Sequence, residues 1–268
     1  MSSLARMLAV LDLFTAAQPV WTAEDIIAKL GTSRPTGYRY VRELVAAGLL
    51  MRLTGGLYHL GPRIIELDYQ IRSTDPVLQA GQPIMKALAD RTGCHVLLSN
   101  IYGEQVLNVH HEPGIEPLRI RFARGVPLPL FRGSTSKAIL AFLPRSRLKR
   151  IYDRHAAEIA AANLGHTWDE FRQTLATIRR QGVAYSSGEL DPPNVGTAAP
   201  VFAADGEVLG SLTFVTLDKR WSLLDRDQVI ALLREGAQQI TNAIARTSHP
   251  DAAVLKTAIG ERRLRRVK

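Results

Sequence analysis

A serine and a lysine stand three positions apart in the stretch PLFRGSTSKAILAF, residues 129–142. Ser134 and Lys137 form the pattern Ser-x-x-Lys, which places a lysine one helical turn from a serine nucleophile. The same stretch also describes a helix N-terminus rich in hydroxyl groups, where a bound anion can meet unpaired backbone N–H groups. It is therefore compatible with a serine hydrolase and with a sensor of small molecules.

The hydrolase interpretation needs further elements. An enzyme of this type also requires a Ser-x-Asn element and a Lys-Thr-Gly strand in the same cleft. The nearest match to that strand is Lys256-Thr257-Ala258, which lies in the basic C-terminal segment and lacks the glycine. Since two fixed residues arise easily by chance, the sequence predicts a protein that is not an enzyme. A serine hydrolase using Ser134 and Lys137 remains the alternative.

Histidines and cysteine offer little for metal or redox chemistry. His110, His111 and Glu112 are adjacent, but neighbouring strand residues point to opposite faces, so both histidines cannot serve one metal without a bulge. Cys94 is the single cysteine of the chain, which excludes an intrachain disulfide and a cysteine-rich metal cage. No metal and no cofactor are predicted.

The composition bounds the class of protein. A chain of 268 residues favours two domains, and a net charge of +9 suggests a polyanionic partner such as nucleic acid. No apolar run approaches the roughly 18 residues of a membrane span, and the N-terminus lacks a signal-peptide pattern. These features predict a cytoplasmic protein that does not contact a membrane. The basic tail at 249–268 is either a phosphate-binding arm or a solvated segment.

The N-terminal residues have the pattern of three helices and a hairpin. Helical spacing predicts a first helix over 3–17, a second from the N-cap Thr22 to Gly31, and a third capped by Ser33. One side of the third helix is predicted to be buried and carries Gly37, Tyr40, Val41 and Leu44. Two short strands around Gly55-Gly56 then predict a two-residue hairpin.

Three helices and a hairpin within about 60 residues match the plan of the winged helix-turn-helix. Such a domain places the start of its third helix in the major groove of DNA. The exposed positions there are Arg34, Thr36, Tyr38, Arg39 and Arg42. Arginine can bind guanine with two hydrogen bonds, and the hydroxyls suit phosphate oxygens, so DNA binding is predicted. The alternative is a solvated basic helix face.

The rest of the chain mixes helices and strands. A linker helix is predicted over 62–75, and a second domain over 76–248. The predicted strands are 94–103, 104–113, 118–125, 196–202 and 208–217. The predicted helices are 77–90, 134–143, 145–162, 168–182 and 222–246, the last opening with a capping box at Ser222-x-x-Asp225. This order with hairpin-length turns indicates an α+β domain on an antiparallel sheet.

The chain resembles the IclR-type bacterial transcriptional regulators over roughly residues 3–247. The agreeing stretches are RMLAVLDLF, PTGYRYVRELVAAGLL, YHLGPRIIEL, PLFRGSTSKAILAFLP and VGTAAPVFAADGEVLGSLTFV. The resemblance implies a winged helix-turn-helix at 1–61, the linker helix, and a GAF-like effector domain that also oligomerises. It further implies binding to operators as dimers or tetramers and the sensing of small organic acids or aromatic compounds.

The resemblance also assigns residues. It implies that Arg34, Thr36, Tyr38 and Arg39 belong to the recognition helix. The positions implied for the effector pocket are Ser134, Thr135, Ser186, Gly196, Thr213 and Val215. Members of the family often carry a cysteine in place of Gly196, an acid in place of Ser186, and small residues at 134–136. The effector is therefore expected to differ from that of the best-known members.

Arg119 and Arg121 are further candidates for the pocket. In the predicted strand RIRFAR the two arginines share one face, and Ile120 and Phe122 share the other. A pocket beside this strand could combine an apolar wall with an arginine that holds a carboxylate. The alternative for the arginines is a solvent-exposed face.

Together these features predict a ligand-responsive DNA-binding regulator of a catabolic operon, acting as a homodimer or tetramer on an approximately palindromic operator. Whether it represses or activates transcription is left open. A DNA-binding protein whose second domain only oligomerises is the other alternative.

Overall fold

The computed structural model describes residues 2–247 of the chain. It divides into two compact units between Asp75 and Pro76, and each unit is described by itself. The basic segment predicted at 249–268 lies outside the described residues. Within residues 2–247, none of the helices is both long and apolar enough to cross a membrane.

The first unit has four α-helices and three strands within its described residues. Its strands form an antiparallel sheet in the order β1-β3-β2. The elements are α1 (Ser3–Leu8), β1 (Trp21–Thr22), α2 (Ala23–Leu30), α3 (Arg34–Ala46), β2 (Leu50–Arg52), β3 (Leu57–Leu60) and α4 (Arg63–Thr74). The buried core of this unit consists of Val10, Ile26, Tyr40, Val41, Leu44 and Leu50. α3 is therefore held against α2 and the sheet by the face that the sequence predicts to be buried.

Local sequence signals define the turn between α2 and α3. The Thr22 hydroxyl accepts a hydrogen bond from the Asp25 backbone N–H, and Gly31 ends α2 in the left-handed conformation at φ 59°. Gly37 lies where the two helices approach closely, because a Cβ at this position would stand 2.2 Å from Ile27 Cγ1. The three-residue turn and this close contact produce the helix-turn-helix.

Some predictions for the first unit are wrong. The helix predicted over 3–17 ends at Leu8, and only a short 3₁₀ turn at Leu11–Leu13 follows. The hairpin loop is longer than two residues, because β2 ends at Arg52 and β3 begins at Leu57. Gly55 lies in a 3₁₀ turn between the two strands. Ser33 stands at the predicted cap of α3, yet its hydroxyl donates to Thr36 Oγ1 rather than accepting from the backbone.

The second unit is built on a six-stranded antiparallel sheet. Its strands lie in the order β6-β5-β4-β9-β8-β7. The elements are α5 (Pro76–Thr92), β4 (His95–Tyr102), β5 (Gln105–Glu112), β6 (Pro127–Leu128), α6 (Ser134–Leu140), α7 (Arg145–Ala161), α8 (Trp168–Gln181), β7 (Ala184–Ser187), β8 (Asn194–Phe202), β9 (Val208–Leu217), α9 (Asp218–Trp221) and α10 (Arg226–Thr247).

Helices cover this sheet with two apolar cores. α5 and α10 contribute to the first, which includes Met85, Leu98, Leu212, Leu233 and Ile240. α6, α7 and α8 contribute to the second, which includes Ile139, Leu140, Ile151, Ile159 and Phe171. The predicted α+β class with an antiparallel sheet is confirmed, and the unit has the expected GAF-like fold.

Two predictions for the second unit are wrong. Residues 118–125 form no strand, because they belong to an irregular segment, 113–126, that we call the cover loop. The helix predicted over 222–246 begins at Arg226, and its N-cap is Asp225, whose Oδ1 accepts from the Gln228 backbone N–H at 3.1 Å. Ser222 is not part of a capping box, since its hydroxyl donates to the Asp218 carbonyl.

Candidate DNA-binding and effector-binding sites

The outer face of α3 carries the residues predicted to contact DNA. Arg34, Tyr38, Arg39 and Arg42 are exposed, and Thr36 is partly buried. The opposite face is buried through Gly37, Tyr40, Val41 and Leu44. The helical period thus separates a basic, hydroxyl-bearing face from the core, as the sequence predicts.

Two of these side chains are held by acidic neighbours. The Tyr38 hydroxyl donates to Glu24 Oε1 at 2.5 Å, and this bond raises the pKa of Tyr38 and lowers the pKa of Glu24. Arg42 Nη2 contacts Glu43 Oε1 at 3.0 Å. Among the described residues Arg34 and Arg39 form no ion pair, although the Arg39 guanidinium lies 6.0 Å from the centre of the Tyr40 ring. Arg34 and Arg39 are therefore the cations of this face that can bind phosphate or a base without first breaking a salt bridge.

The hairpin after α3 adds a basic side chain that the sequence analysis did not single out. Arg52 ends β2 and is exposed beside the loop that leads into β3 at Leu57. The sequence signal that could have identified Arg52 is a basic residue next to the turn of the predicted hairpin.

The second unit contains a cavity of about 50 Å³ between α6, the sheet and the cover loop. All six positions implied by the resemblance line it, namely Ser134, Thr135, Ser186, Gly196, Thr213 and Val215. Strand register explains why positions distant in the sequence meet, because Gly196 on β8 pairs with Ser186 on one side and Val215 on the other. Apolar side chains of Leu97, Ile120, Phe122, Leu128 and Leu190 form much of the remaining wall.

The hydroxyl groups of the cavity are buried and partly paired. Thr135 Oγ1 and Thr213 Oγ1 are 2.9 Å apart and share a hydrogen bond. The Ser134 backbone N–H donates to Ser186 Oγ at 3.0 Å. The Ser134 hydroxyl itself makes no hydrogen bond with any residue of the described range, although Ser134 is only 3% exposed.

A loop between β7 and β8, residues 188–193, brings two acidic residues to the cavity lining. We call it the acidic loop. Glu189 accepts from the Gly133 backbone N–H at 2.9 Å and contacts Lys137 Nζ at 2.5 Å. Asp191 contacts Arg121 Nε at 3.1 Å and accepts from the Arg121 backbone N–H at 3.0 Å. Neither acid was singled out from the sequence, because their roles depend on partners more than fifty residues away.

Arg119 and Arg121 do not line the cavity. The strand that placed them on one face is absent, and both side chains are exposed. Arg121 instead ties the cover loop to the acidic loop through Asp191. The apolar residues of the same segment, Ile120 and Phe122, do line the cavity.

Lys137 is buried in an ion pair. Its side chain is 11% exposed, and its ammonium group lies against Glu189. A lysine engaged with a carboxylate in this way is not positioned as a base for Ser134. The geometry therefore gives the Ser-x-x-Lys pattern a structural explanation.

The histidines near the sheet edge point in two directions, as expected for adjacent strand residues. His111 Nε2 lies 2.9 Å from His95 Nδ1, whereas His110 Nε2 lies 2.6 Å from Glu112 Oε1. Burial, followed by the neighbouring histidines, lowers the pKa of His111. Within residues 2–247, no group of three or more His, Cys, Asp or Glu side chains is arranged to hold a metal ion.

A winged helix-turn-helix with an exposed basic helix, followed by an α+β unit with a cavity of mixed hydroxyl and apolar lining, defines the class of bacterial regulators that combine a DNA-binding domain with an effector domain. Comparisons with known proteins agree. The family described as IclR helix-turn-helix domain matches residues 3–53, and the family described as bacterial transcriptional regulator IclR C-terminal matches residues 70–242. The chain belongs to the IclR family of transcriptional regulators.

Individual relatives are distant but cover nearly the whole chain. The transcriptional regulator KipR of Bacillus subtilis is 23% identical over 247 residues, which is 91% of this chain and 98% of KipR. An IclR family regulator from Brucella abortus has a similar structure, with a TM-score of 0.73, 25% identity, and coverage of 91% and 92% of the two chains. An IclR homologue from Microbacterium hydrocarbonoxydans, solved in complex with 4-hydroxybenzoate, is also similar. Its TM-score is 0.71 and its sequence identity is 24%, with coverage of 92% of this chain and 100% of the homologue. The relatives are transcriptional regulators and not enzymes, so the hydrolase alternative for Ser134 and Lys137 is rejected.

Proposed function

We propose that this IclR-family regulator changes its affinity for an operator when a small organic compound binds in the cavity beneath the cover loop. The observation that carries this proposal is the convergence of six positions, from α6, β7, β8 and β9, on one cavity. A domain that served only to oligomerise would not need buried hydroxyls aimed at an internal space. Ser134 in particular is only 3% exposed as a residue and lines the cavity.

The effector classes expected from the resemblance are small organic acids and aromatic compounds. The apolar side chains of Leu97, Ile120 and Phe122 suit an aromatic ring or a short aliphatic chain. The relative solved with 4-hydroxybenzoate supports a ligand of this size. We further propose that the regulated genes encode the catabolism of the effector.

Ligand entry requires the cavity to grow. The cavity measures about 50 Å³, whereas a cavity that binds benzene has a volume of roughly 150 Å³. We assign this growth to the cover loop, because it lacks regular structure; its movement would have to break backbone and side-chain hydrogen bonds, among them the bond from the Gly125 N–H to the Asn108 carbonyl. Asn108 Nδ2 donates to the Phe122 carbonyl, and Asn194 Nδ2 donates to the Arg119 carbonyl at 3.2 Å.

The DNA-binding part of the proposal assigns Arg34 and Arg39 to phosphates or base edges, with Thr36, Tyr38 and Arg42 as further contacts from α3. DNA binding locates its action in the bacterial cytoplasm. We propose a homodimer or tetramer on an approximately palindromic operator, because each winged helix-turn-helix reads one half-site. The exposed apolar side chains of Ile65 and Tyr69 on α4 support contact with a second copy.

A ligand alters DNA affinity only if it binds two arrangements of the protein with different affinity. In this chain α4 ends at Thr74, immediately before the boundary between the two units. We propose that α4 transmits the response, as the linker helix predicted at 62–75.

Binding to DNA from upstream of the protein's own gene tests the proposal. Arg39→Ala should weaken the complex and reduce its dependence on salt, because a cation near the phosphates is lost. Arg172→Ala is the matched control, since Arg172 lies on α8 of the second unit in an exposed ion pair with Asp169. Equal loss in both variants would contradict the role of α3. A library of small compounds that changes neither the melting temperature nor the operator affinity would contradict the sensor.

A further inference from the structure

The charged side chains that line the effector cavity are all acidic. Glu189 and Asp191 are the charged residues of its lining, and no Lys, Arg or His of residues 2–247 lines it. The cations that neutralise these acids are Lys137 and Arg121, and both bind the carboxylates from outside the lining. A ligand in the cavity therefore lies beside two acidic residues whose counterions are not part of the lining.

Two backbone donors that could hold a ligand carboxylate are already used by the protein. The Gly133 N–H donates to Glu189 Oε2, and the Ser134 N–H donates to Ser186 Oγ. Lys137 is engaged with the second oxygen of Glu189. An incoming anion would have to displace Glu189 to obtain the donors that neutralise it, which leaves the Glu189 carboxylate without its partners.

Hydroxyl groups of a ligand find a better match. Ser134 is 3% exposed, and its Oγ has no partner among the described residues. This oxygen points toward Gly196, because a Cβ there would lie 2.6 Å from Ser134 Oγ and 3.2 Å from Ser186 Oγ. The Ser186 hydroxyl accepts one bond and retains its own proton. The space left by Gly196 is thus bordered by two hydroxyls that can donate and accept.

We propose that the effector is an uncharged compound bearing hydroxyl groups, a phenol or a polyol, and that the acidic loop excludes carboxylates. The ligand hydroxyls donate to Glu189 or Asp191 and exchange hydrogen bonds with Ser134 and Ser186. This inference rests on the proposed function, since it assumes that the cavity binds an effector. It departs from the arginine-held carboxylate expected from the sequence.

Matched pairs of compounds test the inference by calorimetry on the full chain. The probes are 4-hydroxybenzamide against 4-hydroxybenzoate, and glucitol against gluconate. At least one uncharged member should bind, at least about tenfold more tightly than its acid, which is a difference of about 1.4 kcal/mol. An acid that binds as tightly as its uncharged partner, or more tightly, overturns the inference but leaves the sensor intact. No binding by any of the four compounds also overturns it, whereas the sensor itself is judged by the operator response.

A substitution in the acidic loop tests whether this loop causes the preference for uncharged compounds over carboxylates. Glu189→Gln keeps the size of the side chain and removes its charge, so the acid should gain affinity and the difference within a pair should fall to about threefold or less. Glu235→Gln, at an exposed position of α10, is the control and should leave the difference unchanged. If loss of the partner of Lys137 prevents folding, Asp191→Asn serves the same purpose. If a folded variant keeps the roughly tenfold difference in affinity between the uncharged compound and its acid, the acidic loop does not exclude carboxylates.

Discussion

The substitution Gly196→Ala tests the effector cavity, because it adds a methyl group at the cavity lining and changes no other site. The added methyl group would stand 2.6 Å from Ser134 Oγ and 3.2 Å from Ser186 Oγ, so the Ser134 side chain has to rotate. Overfilling a packed site costs about 1–3 kcal/mol, and alanine recovers about 0.5–1 kcal/mol relative to glycine within a strand. We therefore expect a net loss of roughly 0–2.5 kcal/mol in the free energy of unfolding.

The effect on ligand binding should be much larger than the effect on stability. The methyl group occupies the space that two hydroxyls border, so we expect at least about tenfold weaker ligand binding. Operator affinity without ligand should be unchanged. The assay combines urea unfolding, calorimetry with a compound that raises the melting temperature of the wild type, and operator binding.

Gly81→Ala provides the matched control for this experiment. Its Cβ would lie 2.9 Å from Leu98 Cδ2, in the apolar core between α5 and the sheet and away from the cavity lining. This variant should lose comparable stability and keep ligand binding. If Gly196→Ala binds the ligand as the wild type does, the assignment of the cavity is refuted.

Three other changes test separate features of the structure. Gly37→Ala should destabilise the first unit by about 1–3 kcal/mol and weaken operator binding, because its Cβ would stand 2.2 Å from Ile27; thermal unfolding that matches the wild type would refute the close helix contact. His111 has a pKa below its usual 6.5, so its stabilising contribution is present above that value and is lost as pH falls through the folded pKa. Urea unfolding at pH 7.5 and 5.5 should therefore show a larger acid loss in the wild type than in His111→Gln, and equal losses would count against this. Burial raises the pKa of the Cys94 thiol, so iodoacetamide should label it slowly in the folded chain and fully in urea, and fast labelling of the folded chain would show that the thiol is accessible.

The DNA-binding unit was largely predictable because its signals are local. Thr22, Gly31 and the four buried positions of α3 follow from capping chemistry and a 3.6-residue period. The first helix was overestimated, since the same period continues past Leu8 although the backbone changes to a 3₁₀ turn at Leu11–Leu13.

The cavity was predictable only in part. Its hydroxyl positions came from a family resemblance, whereas Glu189 and Asp191 come from an irregular loop whose partners lie far away in the sequence. Alternation in RIRFAR suggested a strand, but β5 pairs on that side only with the two residues of β6. The segment instead crosses the cavity, with its apolar side chains Ile120 and Phe122 facing inward. Period-two alternation reports which side chains share a face and not whether a strand partner exists.

The most direct test of the central claim is the operator affinity of the full chain at fixed salt, with and without a saturating compound that binds the cavity. Coupling between effector and operator typically changes affinity about 5- to 150-fold. We predict a change of at least about fivefold in the wild type and a clearly smaller change in Gly196→Ala at the same ligand concentration. An operator affinity that stays the same when the cavity is saturated would contradict a ligand-responsive regulator.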